Sequence, residues 1–321
     1  MKRIAVLGSG GDSPGMNACV RAVVRRALRY GLAPFGVYDG YGGLIEGRVR
    51  RLGRRSVSNI IQRGGIFLGA GRSEEFRQPE GRAKAAAVLR QNRIDGLIAL
   101  GGDGTLSGAM ALTREWEVPV VLVPATIDND VAGTDIAIGF DTAVNTAVEA
   151  VDRIRDTAEA TERVFFIEVM GRESGALALQ VGVASGADAI LVPEVASDTD
   201  ELLERLRSAR TRRARSILVI VAEGDVAGGA FAIAQRIQPH LERESRVTVL
   251  GHVQRGGRPS ANDRVLATKL GVRAVDALVE GKRDLIVGQV KDEILLTPFS
   301  DVKDVRRKAP LDFLRVALDL A

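Results

Sequence analysis

The sequence contains a single cysteine, Cys19, only two histidines and 4% aromatic residues in 321 residues. One cysteine excludes an intrachain disulfide, and so few histidines and cysteines cannot furnish a typical zinc site. Surfaces that stack nucleic-acid bases interleave basic with aromatic residues, and the sequence has no such stripe. We therefore expect no disulfide framework, no zinc centre and no nucleic-acid partner.

Long apolar runs are also missing. None approaches the roughly 18–20 residues that cross a bilayer. The N-terminus enters a strand-like run at Ile4 without the apolar segment and cleavage site of a signal peptide. Together with the lone cysteine, this predicts a cytoplasmic protein with no membrane association.

The charge balance is modest but lopsided. The formal net charge is +4, and the 45 basic residues comprise 38 arginines and seven lysines. The planar guanidinium holds phosphate and carboxylate through paired donors. The excess of arginine fits anion binding, and equally a GC-rich or thermophilic source. Length and composition suit one large or two moderate globular domains.

Short β-branched runs alternate with glycine-rich turns and amphipathic segments. Strands are predicted at Ile4–Leu7, Ala33–Tyr38, Gly96–Leu100, Val118–Val123, Val164–Val169, Ala189–Val192, Ile217–Val221 and Val247–Leu250. Helices are predicted up to Tyr30 and at 81–92, 104–113, 141–158, 174–184, 199–213, 229–243 and 261–280. The alternation implies βαβ units and a three-layer α/β/α architecture with mainly parallel sheets.

Glycine and aspartate clusters follow several predicted strands, where α/β proteins bind ligands. The first is Gly8-Ser9-Gly10-Gly11-Asp12. Glycines between a strand and a helix let backbone N–H groups approach an anion. Ser13 replaces the third glycine of a dinucleotide fingerprint, and no Gly-Lys-Ser/Thr of a P-loop follows. A purely structural turn is the alternative interpretation.

The second cluster, Gly101-Gly102-Asp103-Gly104-Thr105, opens a predicted helix. Its glycines permit close phosphate approach, and Asp103 offers an oxygen ligand suited to Mg²⁺. Asp103 could instead only cap the helix. The pentapeptide also occurs in NAD kinases and diacylglycerol-type lipid kinases.

The third cluster, Thr126-Ile127-Asp128-Asn129-Asp130, places two carboxylates just past a buried strand. Phosphoryl transfer needs a positioned acceptor and a neutralised donor, and two carboxylates can serve both needs. A turn held by Asx-type hydrogen bonds is the alternative.

Two further segments favour anion binding. Arg172 follows a predicted strand, and His252 with Arg255 lies in the glycine-flanked segment 251–257. Nucleophilic hydrolysis is disfavoured, because the sequence has no Gly-x-Ser-x-Gly elbow and Cys19 lies inside a predicted helix.

The sequence resembles the bacterial-type ATP-dependent 6-phosphofructokinases from Arg3 to about Asp284. Nine motifs carry the resemblance: SGGD at 9–12, YDGY at 38–41, RGG at 63–65, GGDG at 101–104, TIDND at 126–130, GFDTA at 139–143, RIRDT at 153–157, EVMGR at 168–172 and GHVQRGG at 251–257. Lipid and NAD kinases share only the GGDGT-like element.

The resemblance implies two similar α/β/α domains with the active site in the cleft between them, assembled as a homotetramer. Residues 1–138 plus about 251–301 would bind ATP, and residues 139–250 plus about 302–321 would bind fructose 6-phosphate. The implied reaction transfers phosphate from MgATP to the 1-hydroxyl of fructose 6-phosphate in glycolysis.

The family pattern also implies a nucleotide site. Tyr41 would pack against adenine, and Asp103 would coordinate Mg²⁺. The implied ATP-binding residues are Gly11, Tyr41, Arg72, Ser73, Gly101, Gly102, Asp103, Gly104, Thr105 and Gly108.

For the acceptor, Asp128 would be the general base and Arg172 would stabilise the transferring phosphoryl group. Thr126 would support the geometry of the reaction. Arg163 and Arg246 would reach the sugar phosphate from a neighbouring subunit. The implied substrate-binding residues are Thr126, Asp128, Asp130, Arg163, Met170, Gly171, Arg172, Glu223, Arg246, His252 and Arg255.

An effector site for ADP or phosphoenolpyruvate is implied as well. Arg21 and Arg25 share a helix face at i and i+4. The implied residues are Arg21, Arg25, Arg54, Arg155, Gly186, Asp188, Arg212 and Arg215. Ala214 and Ser216 stand where the family typically has basic residues, so we expect weakened or altered control.

Two alternatives stay open. Pyrophosphate-using relatives carry Asp after the GGD and Lys before the TIDND, whereas this chain has Gly104 and Ala125. Ala125 also departs from the usual glycine, and we expect its methyl group to alter nucleotide affinity modestly. The other alternative is a catalytically weak regulatory paralogue that binds nucleotide and sugar phosphate.

Overall fold

The computed structural model describes residues 1–196, 198–211, 216–226, 228–302 and 305–320. The chain forms two compact units. Unit 1 comprises Met1–Thr126, Val131–Thr142 and Arg255–Arg306, and unit 2 comprises Ile127–Asp130, Ala143–Gln254 and Arg307–Ala321. Which substrate each unit binds remains a prediction.

The described residues form eleven strands and eleven α-helices. The strands are β1 (Arg3–Gly8), β2 (Ala33–Val37), β3 (Val49–Arg51), β4 (Gly96–Gly101), β5 (Val120–Pro124), β6 (Val164–Val169), β7 (Ala189–Leu191), β8 (Ile217–Ala222), β9 (Ser245–Val249), β10 (Leu285–Val290) and β11 (Glu293–Pro298). The helices are α1 (Met16–Arg29), α2 (Gly40–Ile45), α3 (Glu74–Arg77), α4 (Pro79–Gln91), α5 (Asp103–Trp116), α6 (Phe140–Thr161), α7 (Ala176–Ser185), α8 (Thr199–Thr211), α9 (Gly229–Ile237), α10 (Ala261–Val279) and α11 (Leu311–Leu320).

Unit 1 contains a seven-stranded sheet in the order β11-β10-β5-β4-β1-β2-β3. Its central pairs β5–β4 and β4–β1 are parallel, whereas the outer pairs β10–β11 and β2–β3 are antiparallel. The central strands are nearly continuous apolar runs, because helices cover both faces of a parallel sheet. Ile4, Ile98 and Val121 lie in one core cluster, and Leu7 and Leu122 lie in another.

Unit 2 contains a four-stranded, entirely parallel sheet in the order β7-β8-β6-β9. Phe166, Val219 and Val221 are fully buried in its core together with Ile233 from α9. The predicted α/β fold with mainly parallel sheets is confirmed.

One predicted helix is shorter in the structure, and several elements, among them a hairpin, were not predicted. The predicted helix 229–243 ends as an α-helix at Ile237 and continues as a 3₁₀ turn at Gln238–His240. Pro239 explains this, since proline lacks the N–H that an α-helix interior requires. The β10–β11 hairpin was not predicted, because its turn, Lys291-Asp292, adopts positive φ angles of 48° and 67° without a glycine to signal it.

Helix α5 runs from Asp103 to the only tryptophan of the chain, Trp116. The guanidinium carbon of Arg90 lies 5.3 Å from the centroid of the Trp116 ring. None of the helices described here has the length and apolar character that a transmembrane segment requires.

Candidate active site

In unit 1, the carboxyl ends of three neighbouring strands carry the glycine and aspartate clusters. The clusters follow β1 at Gly8, β4 at Gly101 and β5 at Pro124. Since β5, β4 and β1 are parallel neighbours, the loops that follow them lie at one edge of the sheet. The strand order thus agrees with the predicted position of the clusters after neighbouring strands, and their binding roles stay predictions.

Backbone contacts join the loops after β1 and β4. The Ser9 N–H donates to the Leu100 carbonyl at 3.0 Å, and the Thr105 hydroxyl donates to the Ser9 carbonyl at 3.0 Å. Thr105 is buried, and its hydroxyl joins the two loops. A Cβ on Gly101 would lie 2.1 Å from the Thr105 hydroxyl oxygen, and therefore only glycine fits there.

The remaining glycines of these loops differ in their surroundings. A Cβ on Gly11 would lie 2.0 Å from Nη1 of Arg255, so this guanidinium lies directly against Gly11. A Cβ on Gly102 would contact Thr126 at 3.3 Å. A Cβ on Gly104 would meet no atom within 4 Å, which leaves open space beside an exposed backbone.

Tyr41 is buried in an aromatic pair. Its ring stacks on Phe76 at 3.9 Å between centroids, and its hydroxyl donates to the Thr105 carbonyl at 2.9 Å. Burial raises the pKa of the Tyr41 phenol above its ordinary value. A Cβ on Gly108 would lie 2.8 Å from the Tyr41 ring, so α5 packs closely against the pair. Arg72 is exposed, and the Ser73 hydroxyl caps α3 by accepting from the Phe76 N–H at 3.2 Å.

Asp103 lies at the first turn of α5, where its carboxylate forms an ion pair with Arg306. The Arg306 Nε–Asp103 Oδ2 distance is 3.0 Å, and about a quarter of the Asp103 side chain is exposed (27%). Among the described residues, no group of three or more histidine, cysteine, aspartate or glutamate side chains could hold a metal ion. A single accessible carboxylate fits Mg²⁺, which keeps several waters and binds one or two carboxylates plus substrate phosphates.

In unit 2, Asp128 and Arg172 lie side by side. Asp128 is 4% exposed, and its Oδ2 lies 3.6 Å from Nε of Arg172. Arg307 ties down the same loop, because its N–H donates to the Asp130 carbonyl at 2.9 Å and its guanidinium donates to the Asn129 carbonyl at 3.3 Å. A buried carboxylate beside an accessible guanidinium can accept a proton next to a cation.

The loop after β6 presents Met170, Gly171 and Arg172. Oε1 of Glu223, which follows β8, accepts from the Arg172 N–H at 2.8 Å and from the Gly171 N–H at 3.3 Å. The fully buried Gln254 accepts from the Met170 N–H at 3.4 Å and donates to the Gly251 carbonyl at 3.0 Å. The loops after the three neighbouring strands β8, β6 and β9 are thus joined.

Arg163 and Arg246 lie together at the start of β6 and on β9. Glu244 contacts both: its Oε2 lies 3.0 Å from Nε of Arg163, and its Oε1 contacts Nη1 of Arg246. His252 is exposed in the 3₁₀ turn Gly251–Arg255. Two arginines that share one surface carboxylate remain able to bind an anion.

The predicted effector residues lie in both units. In unit 1, Arg54 is exposed, and Arg21 and Arg25 share a face of α1. Burial and then the neighbouring Arg25 lower the pKa of Arg21. The buried Nε of Arg25 has no hydrogen-bond partner among the described residues.

In unit 2, the Arg155 guanidinium donates to the Ser185 carbonyl and, at 3.4 Å, to the Gly186 carbonyl. The Asp188 carboxylate accepts from the Leu218 N–H at 2.8 Å. Arg212 and Arg215 lie outside the described residues.

Ala125 is fully buried in a core cluster with Val123 and Ile138. Its N–H donates to the Gly101 carbonyl at 3.0 Å. The methyl group therefore packs in the core, and the structure gives no support to the expectation that it alters nucleotide affinity.

Sequence reasoning missed three residues that hold the candidate site. Arg306 and Arg307 lie in the short basic run 306–308 before Pro310, which would have been the signal for them. Gln254 lies inside the motif 251–257, between the implied substrate ligands His252 and Arg255.

Residues 3–278 match the family model Phosphofructokinase. A Thermus thermophilus relative named ATP-dependent 6-phosphofructokinase 1 is 54% identical over 321 residues, covering 100% of both chains. A Cytophaga hutchinsonii relative named ATP-dependent 6-phosphofructokinase is 48% identical over 318 residues, covering 99% of this chain and 97% of its own.

Solved structures of phosphofructokinases also match this chain. The phosphofructokinase of Saccharomyces cerevisiae aligns with a TM-score of 0.90 and 39% identity over 94% of this chain, which spans 45% of the yeast chain. The pyrophosphate-dependent phosphofructokinase of Marinobacter aquaeolei shares the fold, with a TM-score of 0.85, 23% identity and coverage of 99% of this chain and 92% of its own. By sequence over its whole length and by fold, the chain belongs to the phosphofructokinase family.

Proposed function

We propose that this protein is an ATP-dependent 6-phosphofructokinase. It transfers the γ-phosphoryl group of ATP to the 1-hydroxyl of fructose 6-phosphate, giving ADP and fructose 1,6-bisphosphate, a reaction of glycolysis. The observation that carries the proposal is the buried Asp128 carboxylate 3.6 Å from the Arg172 guanidinium, in a chain 54% identical to a relative of that name.

In this reaction Asp128 accepts the proton of the attacking hydroxyl. Burial keeps the carboxylate out of bulk water, so it is available to a hydroxyl placed against it. Arg172 stabilises the negative charge of the transferring phosphoryl group, since a fixed cation in a water-poor site acts on charge as it develops. Thr126 and Asp130 flank the base and support the geometry of acceptor and metal.

The donor is held by the glycine loops of unit 1. Backbone N–H groups at Gly11 and at residues 101–104 approach the phosphates, helped by the positive N-terminus of α5. Tyr41, Arg72, Ser73 and Gly108 contribute the surroundings of the nucleoside. Mg²⁺, when bound, neutralises phosphate charge, and Asp103 would hold it. Arg306 then leaves the Asp103 carboxylate, which it contacts here.

The sugar phosphate is held by residues with cationic or backbone donors. Arg163 and Arg246, which share Glu244, exchange that carboxylate for the 6-phosphate, and they serve the site of a neighbouring subunit in a homotetramer. The other proposed sugar-phosphate ligands are Met170, Gly171, Glu223, His252 and Arg255. Exchanging a carboxylate for a phosphate keeps both arginines paired throughout.

ATP rather than pyrophosphate is supported by Gly104. Space is open where its side chain would be, which suits a donor larger than pyrophosphate. The names of the relatives at 54% and 48% identity point the same way.

We further propose weakened or altered control by ADP or phosphoenolpyruvate at the arginine site around Arg21, Arg25 and Arg155. The buried Nε of Arg25, for which the described part of the chain offers no hydrogen-bond partner, supports an anion there. A cytoplasmic location completes the proposal, supported by the single cysteine in the sequence.

A coupled assay tests the reaction. The purified protein is given fructose 6-phosphate with either MgATP or Mg-pyrophosphate, and the bisphosphate product is measured. Turnover with ATP is expected. Turnover with pyrophosphate alone would make it a pyrophosphate-dependent enzyme. Absence of turnover with retained binding of both ligands would support the regulatory paralogue.

A further inference from the structure

We propose that Glu223 is a positioning residue for Arg172, acting through the backbone of the loop that carries this arginine. The inference rests on the proposed function, because it concerns how the cation of that reaction is aimed. Arg172 has a φ of 52°, in the left-handed region that residues with a Cβ disfavour. Something must hold it in that conformation.

The Glu223 carboxylate supplies the restraint. Its Oε1 accepts from two consecutive backbone N–H groups, at 2.8 Å from Arg172 and 3.3 Å from Gly171. Consecutive N–H groups that converge in this way form an anion-binding concavity, or nest. Here the anion is a carboxylate of the protein itself. The backbone N–H of Glu223 also donates to the Val169 carbonyl at 2.9 Å, which fixes the position from which the side chain extends.

The residue after Glu223 is part of the same device. A Cβ on Gly224 would lie 1.7 Å from the Arg172 carbonyl oxygen, so the two loops touch through their backbones. A Cβ on Gly171 would lie 2.4 Å from the Ser174 carbonyl oxygen, which makes the arginine loop equally tight on its other side. We call the four residues that make these contacts the clasp: Gly171, Arg172, Glu223 and Gly224.

The clasp matters because the Arg172 side chain is 49% exposed. Packing holds only part of it, so the direction of the guanidinium depends on where the backbone starts the side chain. In the clasped conformation Nε lies 3.6 Å from Oδ2 of Asp128. Loss of the nest would let φ of Arg172 relax to a negative value and turn the side chain away from the base.

This role differs from direct binding of the sugar. Oε1 is used by two backbone donors, and no residue in the described part of unit 2 is found donating to Oε2. A sugar hydroxyl could use Oε2 while Oε1 keeps the loop in place. The two roles predict different kinetics, because one acts on turnover through Arg172 and the other on affinity for the sugar phosphate.

A double-mutant cycle separates them. Glu223→Ala is expected to lower kcat about 10²-fold, as small misplacements of catalytic groups do. Combined with Arg172→Ala, it should lower kcat by no more than about threefold beyond Arg172→Ala alone, because both changes remove the same effect. Two results would overturn the proposal: kcat losses that multiply in the double variant, or an unchanged kcat with a raised KM for fructose 6-phosphate in Glu223→Ala.

Glu223→Gln provides the rescue. The amide oxygen of glutamine can accept from the same two N–H groups, so kcat should stay within about tenfold of wild type. A glutamine variant as slow as the alanine variant would contradict the proposal.

Trypsin gives a readout independent of activity. Cleavage after Arg172, followed by mass spectrometry, should become about fivefold faster in Glu223→Ala, because the opened loop fits a protease better. Glu168→Ala is the matched control: Glu168 lies on β6 of the same sheet, and its carboxylate accepts from the N–H of Ala230 in α9 at 2.8 Å. The control should leave cleavage after Arg172 unchanged, and equal acceleration in both variants would refute the clasp. If wild type shows no turnover with any donor, the proposed function fails, while the trypsin comparison still decides this inference.

Discussion

The loops at the strand ends of unit 1 and those of unit 2 differ in the kind of residue that forms the candidate site. In unit 1 the loops are built from glycines. A side chain at Gly101 would have no room, whereas a side chain at Gly104 would meet open space. In unit 2 the site is built from charged side chains held by other charges: Arg172 lies beside Asp128, and Glu244 contacts two arginines. We propose that unit 1 recognises its ligand by close approach of the backbone, and unit 2 by placement of charge. Changes of volume should therefore affect the first, and changes of charge the second.

The largest expected effect concerns the charge at Asp128. Asp128→Ala should lower kcat by at least about 10²-fold, since a general base contributes that much or more. The assay is steady-state turnover with MgATP, with circular dichroism to verify folding. Asp135→Ala, at an exposed carboxylate in the turn before α6, is the control and should stay within about twofold. Near-normal turnover of Asp128→Ala would show that Asp128 is not the general base. It would also weaken the conclusion that unit 2 acts through placed charge.

Asp263 tests the contrast between the two units, because it is a buried carboxylate in unit 1, the unit whose loops depend on glycines. Its carboxylate accepts from the N–H groups of Gly139 at 2.7 Å and Thr142 at 2.8 Å, and from the Thr142 hydroxyl. Asp263→Asn puts an amide donor against these donors and should lower the free energy of unfolding by about 1–3 kcal/mol. Urea denaturation measures it, with Asp292→Asn in an exposed turn as the control.

The pH dependence of the Asp263 effect has a definite sign. Burial raises the pKa of Asp263 above its ordinary value, despite the lowering contributions of its three hydrogen bonds. A raised folded-state pKa gives stability that is fully present below about pH 4 and is lost as the pH rises through the folded pKa. The gap between wild type and Asp263→Asn should therefore narrow as the pH rises from 3 to 7, and a widening gap would contradict the assignment.

Volume in unit 1 is tested at Gly104. A methyl group there meets no protein atom within 4 Å, so Gly104→Ala should leave stability unchanged. If the nucleotide occupies that space, KM for ATP should rise about tenfold, because overpacking by a methyl group costs roughly 1–3 kcal/mol. Gly53→Ala, also with no atom within 4 Å, is the control. An unchanged KM for ATP would place the nucleotide elsewhere.

The smallest expected effect is at Glu244. Glu244→Gln removes the carboxylate that Arg163 and Arg246 share, so a sugar phosphate no longer competes with it. KM for fructose 6-phosphate should fall by up to about threefold, because exposed ion pairs contribute only about 0–1 kcal/mol. Glu204→Gln on the exposed face of α8 is the control. A raised KM would mean that Glu244 orients the arginines rather than occupying them.

The sequence predicted the parts of this molecule that depend on regular patterns. Continuous apolar runs identified the central strands, and glycine or aspartate after them identified the loops, because both follow from burial in a parallel sheet. The roles given to individual residues such as His252 came from resemblance and stay predictions.

Contacts between segments distant along the chain could not be predicted. Glu223 is implied as a sugar ligand, and nothing in the sequence indicated that its Oε1 also accepts from the backbone of a loop about fifty residues earlier (a separation of 51 for Arg172). Thr105 is implied as a nucleotide contact, and the sequence did not indicate that its hydroxyl also donates to the Ser9 carbonyl. Such pairings depend on which loops become neighbours, and no local pattern encodes that.

The single tryptophan offers a practical consequence. Trp116 ends the helix that Asp103 begins, with its ring beneath Arg90 and its buried Nε1 lacking a hydrogen-bond partner among the described residues. A helix of 14 residues spans about 21 Å, so the indole is remote from any ligand at Asp103, although both residues belong to the same helix. Excited at its red edge, the native protein thus carries one intrinsic indole fluorophore whose emission reports the surroundings of the C-terminal end of α5, without any label.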